Sequence, residues 1–478
     1  MTAKDDKTTR SKHFIKSIGI YAVGNIGSKI ITFVMVPLYT FFIDTESFGY
    51  YDVCMQMCFL LMSFVTLQLR DGSFRFLLDT DSKPRRRQII TFVYRTLVVN
   101  ICIVALIALL LSFVVEIRYM WLTVGLLASL SLQEVISQVY RVIGSSKAFV
   151  VTGLLSASLI LLLSLLFIVV MGMGVEGVYL ANILARLLAL IIVELRLKII
   201  YRYIRPSLKV KTVGRELLRF SLPLIPGAFC WWFVFSSDRF FIINYLDLNV
   251  NGIYAVATRF ASILLTLSTI FQQAWQETAI LQYKSADRDS FFTRIFNFYI
   301  YLLSIAFIVY ALGLKAVYGY IVDPRYSESL LYVYPTGLTT ILFGIVLFFE
   351  MGYQVANDTK RAVLPIVMSI VLNLVLNFVL VQLWGIVGIL ITAITTAVFL
   401  VIFRWFHMRK YFTLKIFAHT YVPMLCVLLT ALPFYYVSDI WLNIVCGIAL
   451  LAVVVLTMPR ELSAELKQKL GQKFSHEA

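Results

Sequence analysis

The chain has 478 residues, of which 60% are hydrophobic and only 14% charged, with a formal net charge of +16. Soluble domains carry nearer a quarter charged residues, so this composition excludes a water-soluble globular protein. The excess positive charge is spread over alternate loops instead of one patch, which sets nucleic acid aside as a partner.

Taken in chain order, a short polar tail with no small-residue cleavage site comes first, so no removed signal peptide is expected. About fourteen apolar blocks follow, most of them about 18–25 residues, enough to cross about 30 Å of hydrocarbon as helix. They are predicted at 17–42, 49–75, 89–113, 119–140, 148–171, 177–198, 216–243, 251–280, 292–313, 329–353, 362–383, 387–407, 417–436 and 440–458. An all-α polytopic membrane protein is the expected fold class. Lys83-Pro84-Arg85-Arg86-Arg87, then Arg202, Arg205, Lys209 and Lys211, then Arg409-Lys410 and both termini fall on one side. The opposite loops hold little beyond Asp44, Glu46, Glu176, Asp247 and Asp439. By the positive-inside rule the basic side, with both termini, faces the cytoplasm.

The chain resembles itself. FGYYDV (48–53) matches NGIYAV (251–256), QVYRVIGSSKAFV (138–150) matches GYQVANDTKRAVL (352–364), and GVEGVYLAN (174–182) matches WGIVGILIT (384–392). The pairs keep one order and lie roughly 200–215 residues apart, as duplicated halves do. Two six-helix lobes are therefore expected, residues 1–200 and 201–410, followed by two extra spans in 411–458 and a cytoplasmic tail at 459–478. Six spans is an even number, so the copies insert the same way up, as in many secondary transporters that hold substrate between repeats. Gly177, Ala181 and Ala185 in span 6, and Gly388, Thr392 and Thr396 in span 12, are spaced for close helix packing.

Other patterns carry no chemistry. Gly172-Met-Gly-Val-Glu-Gly177 spells a dinucleotide fingerprint, but apolar spans flank it where a strand and a soluble layered fold are needed, so it reads as a turn. Asp79-Thr80-Asp81 sits in a loop with no domain to hold a nucleotide. No phosphate-binding loop for ATP is present. The six cysteines lie in apolar blocks and read as small packing residues, with no disulfide framework and no metal site. His13, His407, His419 and His476 all avoid mid-span positions. No cofactor is expected.

Charges inside spans are costly and point to function. At 1.5 Å per residue, Lys29 lies about 18 Å into span 1, and Arg259 and Arg186 about 12 Å below the outer face in spans 8 and 6. Arg75 and Arg70 close span 2, Glu134 lies inside span 4, and Glu277 and Glu350 lie near the inner ends of spans 8 and 10. A cavity lined by such cations attracts a polyanion, and guanidinium groups suit phosphate and pyrophosphate. Lys29, Arg75 and Arg259, with Arg186 in a lesser part, are the candidate substrate-binding residues. Asp238-Arg239 follows Arg219 by about 28 Å along span 7, which places the pair at the outer rim, as an anchor or interhelix pair or as a gating or coupling element. Pro223 and Pro226 free backbone carbonyls and permit a bend in the same span. With Glu350 they complete the candidate coupling and gating set.

SLPLIPGAFCWWFVFSSDRFFI, the acidic turn after it and NGIYAVATRFASILL resemble the start of the second half of polysaccharide-repeat-unit flippases, those of O-antigen, capsule and exopolysaccharide. FGYYDV…RDGSFRF is similar to their span 2 and FQQAWQE (271–277) to the inner end of their span 8. These flippases belong to the multidrug/oligosaccharidyl-lipid/polysaccharide exporter superfamily, with the lipid II flippase and twelve-span multidrug antiporters. The resemblance implies a bacterial inner-membrane protein that moves an undecaprenyl-diphosphate-linked oligosaccharide outward by alternating access, not an enzyme. It further implies coupling to H+, Na+ or the membrane potential, and work beside polysaccharide polymerase machinery. In the lipid II branch, cavity arginines on spans 1, 2 and 8 matter; Lys29, Arg75 and Arg259 hold comparable places, Lys29 by charge only. The competing readings are a cation-coupled multidrug antiporter and, from another class, a membrane-embedded glycan polymerase or ligase. Against the last, the longest outer loop, near Lys315–Glu328, offers only Asp323, Arg325 and Glu328.

Overall fold

A computed structural model describes residues 27, 31, 33–205, 209–283, 285, 287–356 and 358–459. Among these residues every regular element is helical. Twelve helical stretches among the described residues are long and apolar enough to cross a membrane. The last predicted span, Ile440–Leu456, is a shorter apolar helix, and Phe33–Phe42 is the described part of the first. Thirteen predicted blocks therefore coincide with apolar helix, the first does so over its described part, and the chain is a multi-pass membrane protein. Helices are forced on it because hydrocarbon offers no partner to a free backbone N–H or C=O.

In chain order the helices are α1 Phe33–Phe42, α2 Thr45–Thr66, α3 Leu69–Leu78, α4 Lys83–Ser112, α5 Met120–Val139, α6 Ser146–Ser164, α7 Gly174–Leu197, α8 Ile199–Tyr203, α9 Lys211–Ser221, α10 Ile225–Ser236 and α11 Asp238–Tyr245. After them come α12 Leu248–Gln282, α13 Arg288–Ile308, α14 Leu314–Ile321, α15 Ser329–Val355, α16 Val363–Trp384, α17 Ile386–Met408, α18 Tyr421–Leu429, α19 Ala431–Tyr436 and α20 Ile440–Leu456. The chain divides into two compact units, one ending at Gly252 and one beginning at Ile253.

Spans 2 and 7 are broken, the first without warning in its sequence and the second at the prolines expected to bend it. Span 2 is interrupted between α2 and α3, where Leu67 and Gln68 both adopt left-handed backbone, φ 50° and 52°. Neither is glycine, so the turn is strained and must be held by its surroundings. Asn100 Nδ2 donates to the Val65 carbonyl at 2.8 Å, satisfying an acceptor that the break releases. Gln68 Nε2 donates to Ser63 Oγ at 3.2 Å. Span 7 breaks at Pro223, inside a 3-10 turn Leu222–Leu224, and restarts as α10 with Pro226 in its first turn. That break follows the proline rule: the missing N–H is harmless at a helix start. At Gly172 and Gly174, φ is +66° and +59°, the backbone of a turn.

In the first unit a buried cluster from α3, α4, α5, α7 and α9 forms the core, including Leu69, Ile90, Val93, Val139, Leu190 and Leu217. In the second unit α15 lies deep, with 61% of its apolar window buried, whereas α4 of the first unit has 11% and presents its other faces to lipid. Gly177, Ala181 and Ala185 are buried on α7, and Gly388, Thr392 and Thr396 on α17. A Cβ on Gly388 would collide with the Leu380 carbonyl, so α16 and α17 approach backbone to backbone there.

Candidate functional site

In the first unit the starts of α2 and α12 meet. Asp44 caps α2, its Oδ1 accepting from Ser47 N at 2.8 Å. Asp247 does the same for the first turn of α12, accepting from Val250 N at 2.8 Å. The two caps are separated by the same offset as Gly49 and Gly252, the glycines of the repeated FG and NG motifs. A Cβ on Gly49 would fall on the Leu248 carbonyl, and one on Gly252 would fall on the Thr45 carbonyl. Only two glycines allow the backbones this close. Asn251 Nδ2 donates to the Gly49 carbonyl at 2.8 Å, and Thr45 Oγ1 donates to Asn249 Oδ1 at 2.7 Å.

Below that crossing a polar seam runs along α2 against α10 and α11. Trp232 Nε1 donates to the Gln56 carbonyl at 2.8 Å, and Ser236 Oγ donates to Gln56 Oε1 at 3.0 Å. One turn nearer the crossing, Arg239 Nε lies 3.3 Å from Asp52 Oδ2, and Arg239 Nη1 donates to the Phe235 carbonyl at 3.3 Å. The spacing explains the seam: Asp52 and Gln56 are i, i+4 on α2, while Trp232, Ser236 and Arg239 follow one face of α10 and α11. The Arg239 and Asp52 side chains are 8% and 6% exposed, and Asp238 is buried beside them. Arg239 thus does not reach out to solvent, as a rim residue does. It turns inward, because a carboxylate on α2 compensates its charge.

The other predicted residues are placed as follows. Arg75 lies in the last turn of α3, well exposed, 3.9 Å from Asp79 Oδ2, with its guanidinium 4.7 Å from the centroid of the Phe220 ring. Arg186 is partly buried on α7 and donates to the Asn182 carbonyl at 2.7 Å and to Asn182 Oδ1 at 2.8 Å. Arg70 pairs with Glu134 at 2.9 Å, which accounts for that intramembrane carboxylate. Arg141 stacks over Phe74, 4.6 Å from the ring centroid. Arg70, Arg75 and Arg141 therefore gather on or beside α3, beyond the break in span 2. Lys29 lies outside the described residues. Arg259 stands partly buried on α12 and belongs to the second unit. Pro223 and Pro226 are exposed at the break in span 7.

In the second unit Glu350 of α15 forms an ion pair with Arg404 of α17, whose side chain is fully buried. Arg404 Nη1 donates to the Val346 carbonyl at 3.0 Å, and its guanidinium lies 5.6 Å from the Tyr353 ring centroid. The Tyr353 hydroxyl in turn is 2.9 Å from His407 Nδ1. In the first turn of α14, Lys315 Nζ donates to the carbonyls of Pro433, Phe434 and Val437 at 2.8, 2.5 and 2.5 Å. These carbonyls lie at the C-terminal end of α19, a natural seat for an ammonium.

Asp52, Gln56, Trp232 and Arg404 escaped the sequence reading. For Asp52 the available signal was a carboxylate a few residues inside an apolar span; for Arg404, an arginine flanked by Phe403 and Trp405. Among the described residues no group of three or more His, Cys, Asp or Glu is placed to hold a metal.

The profile of the polysaccharide biosynthesis protein family matches residues 14–276, more than half of the chain. The chain belongs to that family. Its fold is similar to that of the lipid II flippase MurJ in an inward closed conformation, with TM-score 0.70 at 12% identity over 95% of this chain and 99% of that one. It is similar also to a multidrug resistance MATE transporter of the MOP superfamily in its inward-facing conformation, with TM-score 0.62 at 12% identity over 82% and 98%. A Vibrio cholerae MATE transporter, VcmN, aligns with TM-score 0.52 at 13% identity over 83% and 98%. At such identities the likeness establishes the fold alone. No curated relative matches the chain.

Proposed function

We propose that this member of the polysaccharide biosynthesis family is a secondary transporter that flips an undecaprenyl-diphosphate-linked oligosaccharide repeat unit. It acts by alternating access in a bacterial inner membrane, from the cytoplasmic to the outer leaflet, with both termini cytoplasmic. The observation that carries the reading is the family match over residues 14–276 on a chain whose fold is that of a lipid II flippase along 95% of its length. The intramembrane charge supports it: arginines gather at α3, whereas Glu134 and Glu350, carboxylates a drug/cation antiporter would offer, are spent on Arg70 and Arg404.

In this reading Lys29, Arg75, Arg186 and Arg259 attract and hold the diphosphate, and the aromatic faces beside Arg75 and Arg141 keep those guanidiniums oriented. Asp238, Arg239 and Glu350 form charge pairs that differ between the two access states, and the break at Pro223 and Pro226 lets span 7 bend. Coupling to H+, Na+ or the membrane potential supplies direction. The ligand shifts the equilibrium only by its differential affinity for the two states. A cation-coupled multidrug antiporter remains the second reading, favoured by the likeness to MATE transporters.

The test is made in a deletion strain. Polyprenyl lipids are extracted, and a complete diphosphate-linked repeat unit is sought, protected from a glycosidase added outside the inner membrane. Protected accumulation is expected. Accumulation accessible from outside indicates a polymerase or ligase, and no lipid-linked sugar together with drug sensitivity indicates the antiporter.

A further inference from the structure

One cleft of the first unit lies outside everything described above. It has a volume of about 520 Å³ and is lined by Phe92 of α4 and by Lys211, Gly214, Arg215, Leu218, Arg219 and Leu222 on and just after α9. Helical spacing sorts this lining into two stripes. Lys211, Arg215 and Arg219 recur every four residues, about 6 Å apart along the axis. Gly214, Leu218 and Leu222 form the neighbouring stripe. The opposite face of α9 is spent on the core through Val213, Leu217 and Ser221.

Three features give this cleft an unbalanced charge. Lys211, Arg215 and Arg219 are exposed. None of the ion pairs among the described residues uses them. The one carboxylate of α9, Glu216, points to the other flank, where Arg85 Nη2 binds it at 2.9 Å. The floor, in contrast, is apolar, and Gly214 lets the Phe92 ring pack against the α9 backbone: a Cβ there would run into that ring. Leu222 and Leu224, exposed at 43% and 37%, continue the apolar surface toward the span that follows. A cationic rim over an apolar floor, where a basic loop enters a membrane span, is complementary to one kind of molecule: a phosphate with an acyl chain attached.

We propose that the cleft between α4 and α9 is a binding site for an anionic phospholipid of the leaflet on the basic side. Its phosphate rests on Lys211, Arg215 and Arg219, and an acyl chain lies along Phe92, Leu218 and Leu222. This inference stands apart from the transported substrate, since it uses none of the residues assigned to that role.

The full-length protein is purified in detergent, titrated with phosphatidylglycerol or phosphatidylcholine, and followed by native mass spectrometry. Phosphatidylglycerol is expected to be retained in preference. Charge-assisted hydrogen bonds to phosphate are strong enough that the R215Q/R219Q variant loses at least about tenfold in retention. R215K/R219K, which keeps the charge, retains the preference, and R409Q/K410Q, altered in another basic loop, behaves as the unmodified protein. Monodisperse R215Q/R219Q shows that the loss is one of binding. Equal retention of both lipids overturns the proposal, as does undiminished phosphatidylglycerol binding by R215Q/R219Q. Displacement of phosphatidylglycerol by stoichiometric undecaprenyl diphosphate also overturns it, because the cleft then belongs to the substrate.

Discussion

Neutralising Asp52 tests whether the buried seam between α2 and α11 holds the first unit together. At 3.3 Å, and with an effective dielectric constant of about 20, the attraction between Asp52 and Arg239 is about 5 kcal/mol. Desolvating both groups offsets most of that, since their side chains are only 6% and 8% exposed. The net worth of the pair is therefore small, but removing one partner is a different operation. Asp52→Asn strands the Arg239 charge in a buried site, at a cost of about 3–5 kcal/mol. Arg239→Gln strands the carboxylate at similar cost. Combining them leaves two neutral amides able to hydrogen-bond, so the double variant should be destabilised by clearly less than the sum, with a coupling of at least about 1.5 kcal/mol. The assay is thermal unfolding of the full chain in one fixed detergent, read by tryptophan fluorescence, alongside the yield of monodisperse protein. Each single variant should melt several degrees lower, and the double variant should recover part of the loss. Additive effects, or single variants that melt like the parent, would refute the seam as an energetic unit.

Three other perturbations follow from the same geometry. Lys315→Met removes the donor for three carbonyls at the end of α19, and at about 1.5–3 kcal/mol for a charged hydrogen bond it should lower the melting temperature, with Lys315→Arg less harmful. Gly49→Ala forces a Cβ onto the Leu248 carbonyl, so a T45C/N249C pair that a short bifunctional reagent bridges efficiently in the parent should cross-link poorly when Gly49 is changed; unchanged yield would show that the crossing yields freely. Asp323 accepts hydrogen bonds from the Arg325 side chain and N–H, which hold its carboxyl below the usual range. Its contribution to the Pro324–Tyr326 turn is present above the ordinary carboxylate pKa and is lost as pH falls through the lower folded value, so Arg325→Gln should move the Asp323 titration, read by NMR of labelled protein, upward.

Burial in lipid made most of the fold legible in advance. A span needs about 20 apolar residues whatever its neighbours, so each block could be placed from its own composition. The prolines of span 7 announced their break for the same local reason. The break in span 2 had no such mark. Leu67 and Gln68 are ordinary residues held in left-handed backbone by contacts that include Asn100, thirty-odd positions away in the chain.

The site shows the same division. Where the intramembrane charges sit along their helices followed from helical rise, and Glu134 and Glu350 were found that way. Whether each charge is answered did not follow. Helical rise set Arg239 at the outer rim, as an anchor or an interhelix pair, without naming a partner; that partner, Asp52, comes from a helix 187 positions earlier. Glu350 reads as a lone carboxylate until α17 brings Arg404 beside it. The chain's order alone determines that this is a membrane protein of many helices with cations in unusual places, because hydrophobicity and helical rise act locally. Only the tertiary structure decides which charges are spent on one another, because the energy of a buried ion depends on what lies within a few ångströms of it.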